Sequence, residues 1–318
     1  MAHPVILDTD MGSDVDDALA LALALASPEV DVLAITHVGR ESRSRAQITE
    51  KLLELAGRSE IPVHAGCRVP VLGGNTFNWF GHEGEGILEP GQDPPVDEEH
   101  AIDAILRLSL MHSDLEVVAV GPLTNLAVAL MKDPDLAGRI RRLTIMGGHL
   151  RRVEYGGFVF PPGVDYNLVS DPHASFVVLR SGIPTRLVTA DVTLRVWLRE
   201  QDLLRLEAVG SPFHGALARA VRIWAPVMNR LFSSAGARMD EDNVAFLHDP
   251  LTIAASYDES FCTFEELEVE PAIEPGGLFR TLERAGATER SSPMRCATGV
   301  DAGGFRNHFV DRVCKLGS

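Results

Sequence analysis

Short runs of Val, Ile and Leu alternate with longer stretches of helical periodicity through the first two thirds of the chain. Runs at 5–8, 30–36, 62–65, 115–120, 143–146 and 185–189 predict strands, and stretches at 17–26, 44–56, 99–112, 123–131 and 171–180 predict the helices between them. Strands that are apolar along their whole length, instead of at every second residue, need cover on both faces. The fold class that follows is α/β: an open, mainly parallel, doubly wound sheet flanked by helices, with long loops at the C-terminal ends of the strands. Farther along, 198–232 reads as mainly helical, and 261–270 and 277–283 read as strands, an antiparallel addition to the sheet. Gly/Pro clusters at 73–74, 90–95 and 156–163 read as loops, and no repeat or long linker divides the chain, so residues 1–318 are expected to form a single domain.

Composition narrows the partners. With 45% hydrophobic and 23% charged residues the chain has the make-up of a soluble enzyme, and its 318 residues suffice for a sizeable core. A formal net charge of −16 argues against nucleic acid or an anionic membrane, both of which need a basic surface. No 18-residue apolar stretch and no signal-peptide pattern is visible, and Cys67, Cys262, Cys296 and Cys314 lack any C-x-x-C spacing. A cytoplasmic protein with reduced thiols is expected.

The strongest chemical signal lies at the first predicted strand-to-helix turn. Asp8, Asp10, Asp14, Asp16 and Asp17 fall within ten residues. Two unit charges about 4 Å apart repel by roughly 1 kcal/mol even in bulk water, so five in one tight loop call for a positive partner. Helix capping accounts for one or two of them, since an acid at a helix N-terminus gains roughly 0.3–1 kcal/mol. It does not reach Asp8 and Asp10, which precede Gly12 at the carboxyl end of the strand, where open α/β sheets bind ligands. All-oxygen ligands select a hard cation, Ca²⁺ or Mg²⁺.

Other strand ends carry further candidates. Val120 ends a predicted strand before Gly121-Pro122 and can turn its carbonyl into the crevice. Met146 precedes Gly147-Gly148, again bringing bare backbone to a strand end. Asp165 and Asn167, two residues apart on an extended segment, can grip two hydroxyls of a sugar, or Asp165 can simply cap the next helix. His248-Asp249-Pro250 opens an apolar helix, so Asp249 is either an N-cap followed by Pro or a metal ligand beside a proton donor.

Taken together, D-T-D-M-G-S-D-V-D-D-A at 8–18, G-H-E-G-E-G at 81–86, A-V-G-P-L-T-N at 119–125, I-M-G-G at 145–148, D-Y-N at 165–167 and H-D-P at 248–250 resemble the nucleoside hydrolases, the inosine–uridine preferring N-ribohydrolases. The resemblance implies one bound Ca²⁺ and hydrolysis of the bond between ribose C1′ and a nucleobase, with a small-molecule nucleoside as substrate. It implies that Asp10, Asp17, Asp249 and the main-chain oxygen of Val120 hold the metal, and that Asp10 also activates the attacking water. It likewise implies that Asp16 holds the 2′-hydroxyl, that Asn167 and Asp165 serve the 3′- and 5′-hydroxyls, that Met146 and His82 line the pocket, and that His248 donates a proton to the leaving base. Trp224 aligns with the base-pocket region, and a homodimer or homotetramer is expected.

The chain departs from the common family pattern in places. Ser13-Asp14-Val15 makes the acid loop two residues longer, so Asp14 or Asp16 can be the acid at the ribose. Arg40 stands where the family often has Asn, which would alter contacts near the acid loop. Two other readings fit the acids: a phosphohydrolase with Asp8 as nucleophile and Asp10 as general acid, and a sugar or nucleoside binder without turnover.

Overall fold

The computed structural model describes residues 2–74, 77–78 and 80–317. Its strands in chain order are β1 (His3–Thr9), β2 (Val30–His37), β3 (Val63–Ala65), β4 (Glu116–Ala119), β5 (Arg142–Met146), β6 (Val153–Tyr155), β7 (Phe158–Phe160), β8 (Thr185–Val188), β9 (Trp197–Arg199), β10 (Asn243–Phe246), β11 (Cys262–Ile273), β12 (Phe279–Arg284) and β13 (Ser292–Val300). Nine of them form one open sheet in the order β12-β11-β13-β8-β5-β4-β1-β2-β3. From β3 across to β13 every pairing is parallel, while β11 joins β13, and β12 joins β11, antiparallel.

The alternation along β1 shows why Val5, Ile6 and Leu7 are apolar without a break. Val5 and Leu7 enter one core and Ile6 the other, on opposite faces of the sheet. The helix Asp16–Leu25, of repeating Ala and Leu, is buried at every position but Leu25 and packs against the helix His248–Tyr257, where alanines permit close approach. That contact brings the acidic loop and the His-Asp-Pro segment together although they are far apart in sequence. Among the described residues no helix is long and apolar enough to cross a membrane.

The chain runs from β1 to β2 on one side and later returns to β4 on the other. This reversal opens a crevice at the carboxyl ends of β1 and β4, the usual ligand position in such sheets.

Several segments differ from the sequence pattern, among them the pair β9 and β10, for which no strand is predicted. The stretch 156–163, read as a loop, contributes to the hairpin β6–β7. Strand β13 and the helix Ala302–Val313 were not foreseen: β13 carries Pro293, Arg295, Thr298 and Gly299, and gains its place by pairing with β11 and β8 instead of through apolar periodicity. The helix expected at 251–256 starts at His248, with Leu247 at the N-cap, so Asp249 lies inside the first turn and is not the cap.

Candidate metal and substrate site

Asp10, Asp16, Asp17 and Asp249 are all buried, and one carboxylate oxygen from each of Asp16, Asp17 and Asp249 lies within 4.8 Å of the others. Burial pushes each of these acids toward its neutral form. Repulsion adds to it: Asp14 and Asp10 act on Asp16, Asp10 and Asp16 on Asp17, and Asp16, Asp17 and Asp10 on Asp249. Asp14 is pushed up to about 8, first by burial of its carboxyl and then by its neighbours' charge. Apolar packing does not relieve such strain; a divalent cation does. The donors are all oxygen and fit a hard cation.

Local structure explains the convergence. Gly12, at φ +110°, turns the chain out of β1 in a conformation that favours glycine. Gly121 follows β4, and a Cβ there would sit 2.9 Å from the Asp10 main-chain nitrogen and Oδ1, so only glycine lets the two strand ends approach this closely. Thr9 Oγ1 donates to Asp17 Oδ1 and fixes one carboxylate. Val120 is buried beside this approach, and its carbonyl accepts from Asn167 Nδ2 at 2.7 Å; Asn167 Nδ2 also donates to the Met146 oxygen at 3.2 Å. A carbonyl has two lone pairs, so this bond leaves one for a cation.

Asp8 plays a different part. It is fully buried and accepts from Thr36 Oγ1 at 2.6 Å and Asn125 Nδ2 at 2.8 Å, and burial raises its pKa to about 7. It braces the ends of β1 and β2 and the helix after β4. Sealed in this way, it is poorly placed as the nucleophile of a phosphohydrolase.

On the sugar and base side, Asp165 caps its own helix. Its oxygens accept from Leu168 N at 3.1 Å and Gly148 N at 2.8 Å, and burial raises it to about 6. Asp165 thus serves as a helix cap, with a lone pair left on each oxygen for a ligand. His248 Nδ1 lies 2.7 Å from Thr193 Oγ1, its ring stacks on Phe246 with centroids 5.0 Å apart, and burial lowers its pKa to about 4. His82 sits against Trp224, ring centroids 5.7 Å apart, with Phe80 touching both. Trp224 is 5% exposed, mostly a wall of the core, with its edge toward a cavity that Asp14, His82 and Glu85 also line.

Arg40 does not meet the acid loop: it is exposed. The arginine that does is Arg45. Its Nη1 donates to the main-chain oxygens of Asp10 and Met11, the latter at 2.9 Å, and its Nη2 to Ser13 Oγ at 2.8 Å. Arg45 shares the buried face of its helix with Ile48 and Leu52, at spacings of three and seven. A charged residue on that apolar stripe is the signal by which sequence reading could have found it.

An open α/β sheet with buried acids at its switch point has the build of an enzyme suited to a metal ion. The chain belongs to the inosine–uridine preferring nucleoside hydrolase family, whose model matches residues 5–307. It is 33% identical over 264 residues to the pyrimidine-specific ribonucleoside hydrolase RihA of Salmonella arizonae, covering 80% of this chain and 79% of that one. Among solved structures, the plant nucleoside hydrolase PpNRh1 superposes with a TM-score of 0.85 at 28% identity, over 99% of this chain and 100% of that one. A purine-preferring ribonucleoside hydrolase from Gardnerella vaginalis gives 0.83 at 27% identity, over 98% of each chain. The protein is thus a ribonucleoside hydrolase, an enzyme acting on N-glycosyl compounds.

Proposed function

We propose that this chain hydrolyses the bond between ribose C1′ and the nucleobase of ribonucleosides, with Ca²⁺ held by Asp10, Asp17, Asp249 and the main-chain oxygen of Val120. The observation that carries the reading is the cluster of buried carboxylates: oxygens of Asp16, Asp17 and Asp249 lie within 4.8 Å of one another, and the charge of Asp10 acts on all three. When bound, the ion would supply the positive charge that orients sugar hydroxyls and a water beside C1′.

The chain's own groups divide the remaining work. Asp10 takes the proton of the attacking water. Asp16 or Asp14 accepts from the ribose 2′-hydroxyl, Asn167 and Asp165 serve the other hydroxyls, and Met146 lies against the sugar. As the base departs, C1′ gains oxocarbenium character, which the surrounding carboxylates stabilise. His248 is neutral near pH 7 because of its burial. In the tautomer in which Thr193 Oγ1 donates to Nδ1, Nε2 carries the proton and can give it to the leaving base. His82 and Trp224 form the base-side wall.

RihA is named for pyrimidine nucleosides and the Gardnerella enzyme for purine ones, so both classes belong in the test. Purified protein is offered uridine, cytidine, inosine and guanosine, and a phosphomonoester, with free ribose and phosphate scored before and after chelator treatment. Ribose release that stops on chelation and returns with calcium is the expected result. Phosphate release without ribose release overturns the reading, and binding of nucleosides without any turnover would favour a binder.

A further inference from the structure

The two-residue extension of the acid loop is tied to the segment that carries His82. Ser13 Oγ accepts from Arg45 Nη2 at 2.8 Å and lies 3.5 Å from the Asn78 main-chain oxygen and 3.4 Å from Glu83 Oε1. Arg45 Nη2 donates to the same Asn78 oxygen at 3.2 Å, and the Asn78 main-chain N–H donates to Tyr166 Oη at 3.3 Å. The Ser13 main-chain oxygen meets His82 Nε2 at 3.0 Å. Glu83, in turn, accepts from the Phe80 and Gly81 N–H groups at 2.6 and 2.7 Å and holds the local turn. The guanidinium that fixes the main chain of Asp10 therefore also fixes the residues around His82, through one serine hydroxyl and one peptide group.

From this geometry we infer that Ser13 and Arg45 are positioning residues that couple the acid loop to the base-side wall, so that the extension sets how tightly the enzyme discriminates between nucleobases. This rests on the hydrolase reading above and extends it from the sugar to the base. A buried hydroxyl with a charged donor on one side and acceptors on the other holds its partners in a fixed register, and the ring of His82 depends on that register. Tyr166, at the opposite end of the Asn78 peptide, closes the same clasp from the D-Y-N segment.

The test is a double-mutant cycle on the full chain with calcium present, reading KM and kcat separately for uridine and inosine. Ser13→Ala should raise KM by about five-fold, the loss of a hydrogen bond of ordinary strength, and change the uridine-to-inosine ratio of kcat/KM, while bound calcium measured by elemental analysis stays at the wild-type level. Tyr166→Phe, which touches only the far end of the clasp, should move the ratio in the same direction by less. In the His82→Ala background Ser13→Ala should have no further effect on the ratio. An unchanged ratio in both single variants, or full additivity with His82→Ala, overturns the coupling. Failure of the wild-type protein to release ribose from either nucleoside would instead overturn the hydrolase reading itself.

Discussion

The sheet buries charge at both of its ends, and the two ends solve the problem in opposite ways. At the N-terminal end of β4, Glu116 is buried with Arg186 Nη1 at 3.5 Å, Arg142 Nη2 at 2.5 Å and Thr144 Oγ1 at 2.5 Å. Arg186 in turn reaches Glu259. Positive and negative groups alternate, and the cluster closes on itself. At the C-terminal end, Asp10, Asp14, Asp16, Asp17 and Asp249 converge on one buried cation, Arg45, which donates to the main-chain oxygens of Asp10 and Met11 and to Ser13, and whose charge favours the ionised forms of Asp10 and Asp17. Buried charges matched within the chain are structure; buried carboxylates that outnumber the chain's own cation are a site. The difference is one of pairing and not of burial.

Mutations at the two ends should therefore fail differently. The largest effect is expected from Asp10→Ala, which should lower kcat by roughly 10²–10⁴-fold, the range for losing a general base, and release calcium in the same step; ribose release and elemental analysis of the purified variant check both. Glu116→Ala should leave catalysis intact but remove the carboxylate shared by Arg142 and Arg186, destabilising the fold by about 1.5–3 kcal/mol in urea unfolding, with Glu259 still paired to Arg186. A stability change without a catalytic one separates the closed cluster from the open one. His248→Ala should reduce kcat by about 10²-fold with calcium still bound, since His248 is proposed as the donor to the leaving base and is not among the proposed ligands.

Stability should also depend on pH. Asp8 and Asp14 titrate near 7 and 8 in the fold, against about 3.8 unfolded. The folded calcium-free chain thus binds more protons than the unfolded one between these limits. Its stability should be highest below about pH 4, as far as these two groups decide it, and fall as pH rises toward 8. Calcium should flatten the Asp14 part of that slope in thermal melts at pH 5 and pH 8, because a bound cation favours the ionised carboxylate.

Much of this contrast is legible in the residues themselves. The parallel core and its crevice follow from runs such as Val117–Val118, apolar on both faces, and the acids of the first loop stand out because they outnumber what a helix terminus can use. The edge is less legible. In β13 the pairing of Arg295 and Cys296 with β8 decides the conformation, and such long-range hydrogen bonding leaves no periodicity to read. At the site, the partition of the acids depends on which carboxylates a distant helix meets, so the grouping of Asp16 with Asp17 and Asp249 could not be read from spacing. The same holds for Arg45: departure from the family pattern points to Arg40 after β2 as the residue that alters contacts near the acid loop, whereas the helix turn that follows buries Arg45 beneath that loop and leaves Arg40 in solvent.

The central claim is that the open cluster is completed by calcium and that completion makes the enzyme. Its most direct test is ribose release from uridine and inosine by chelator-stripped protein as calcium is added back, with bound calcium measured in the same samples. Activity that rises from near zero and saturates at one calcium per chain is the predicted result. Full ribose release from stripped, calcium-free protein would contradict it.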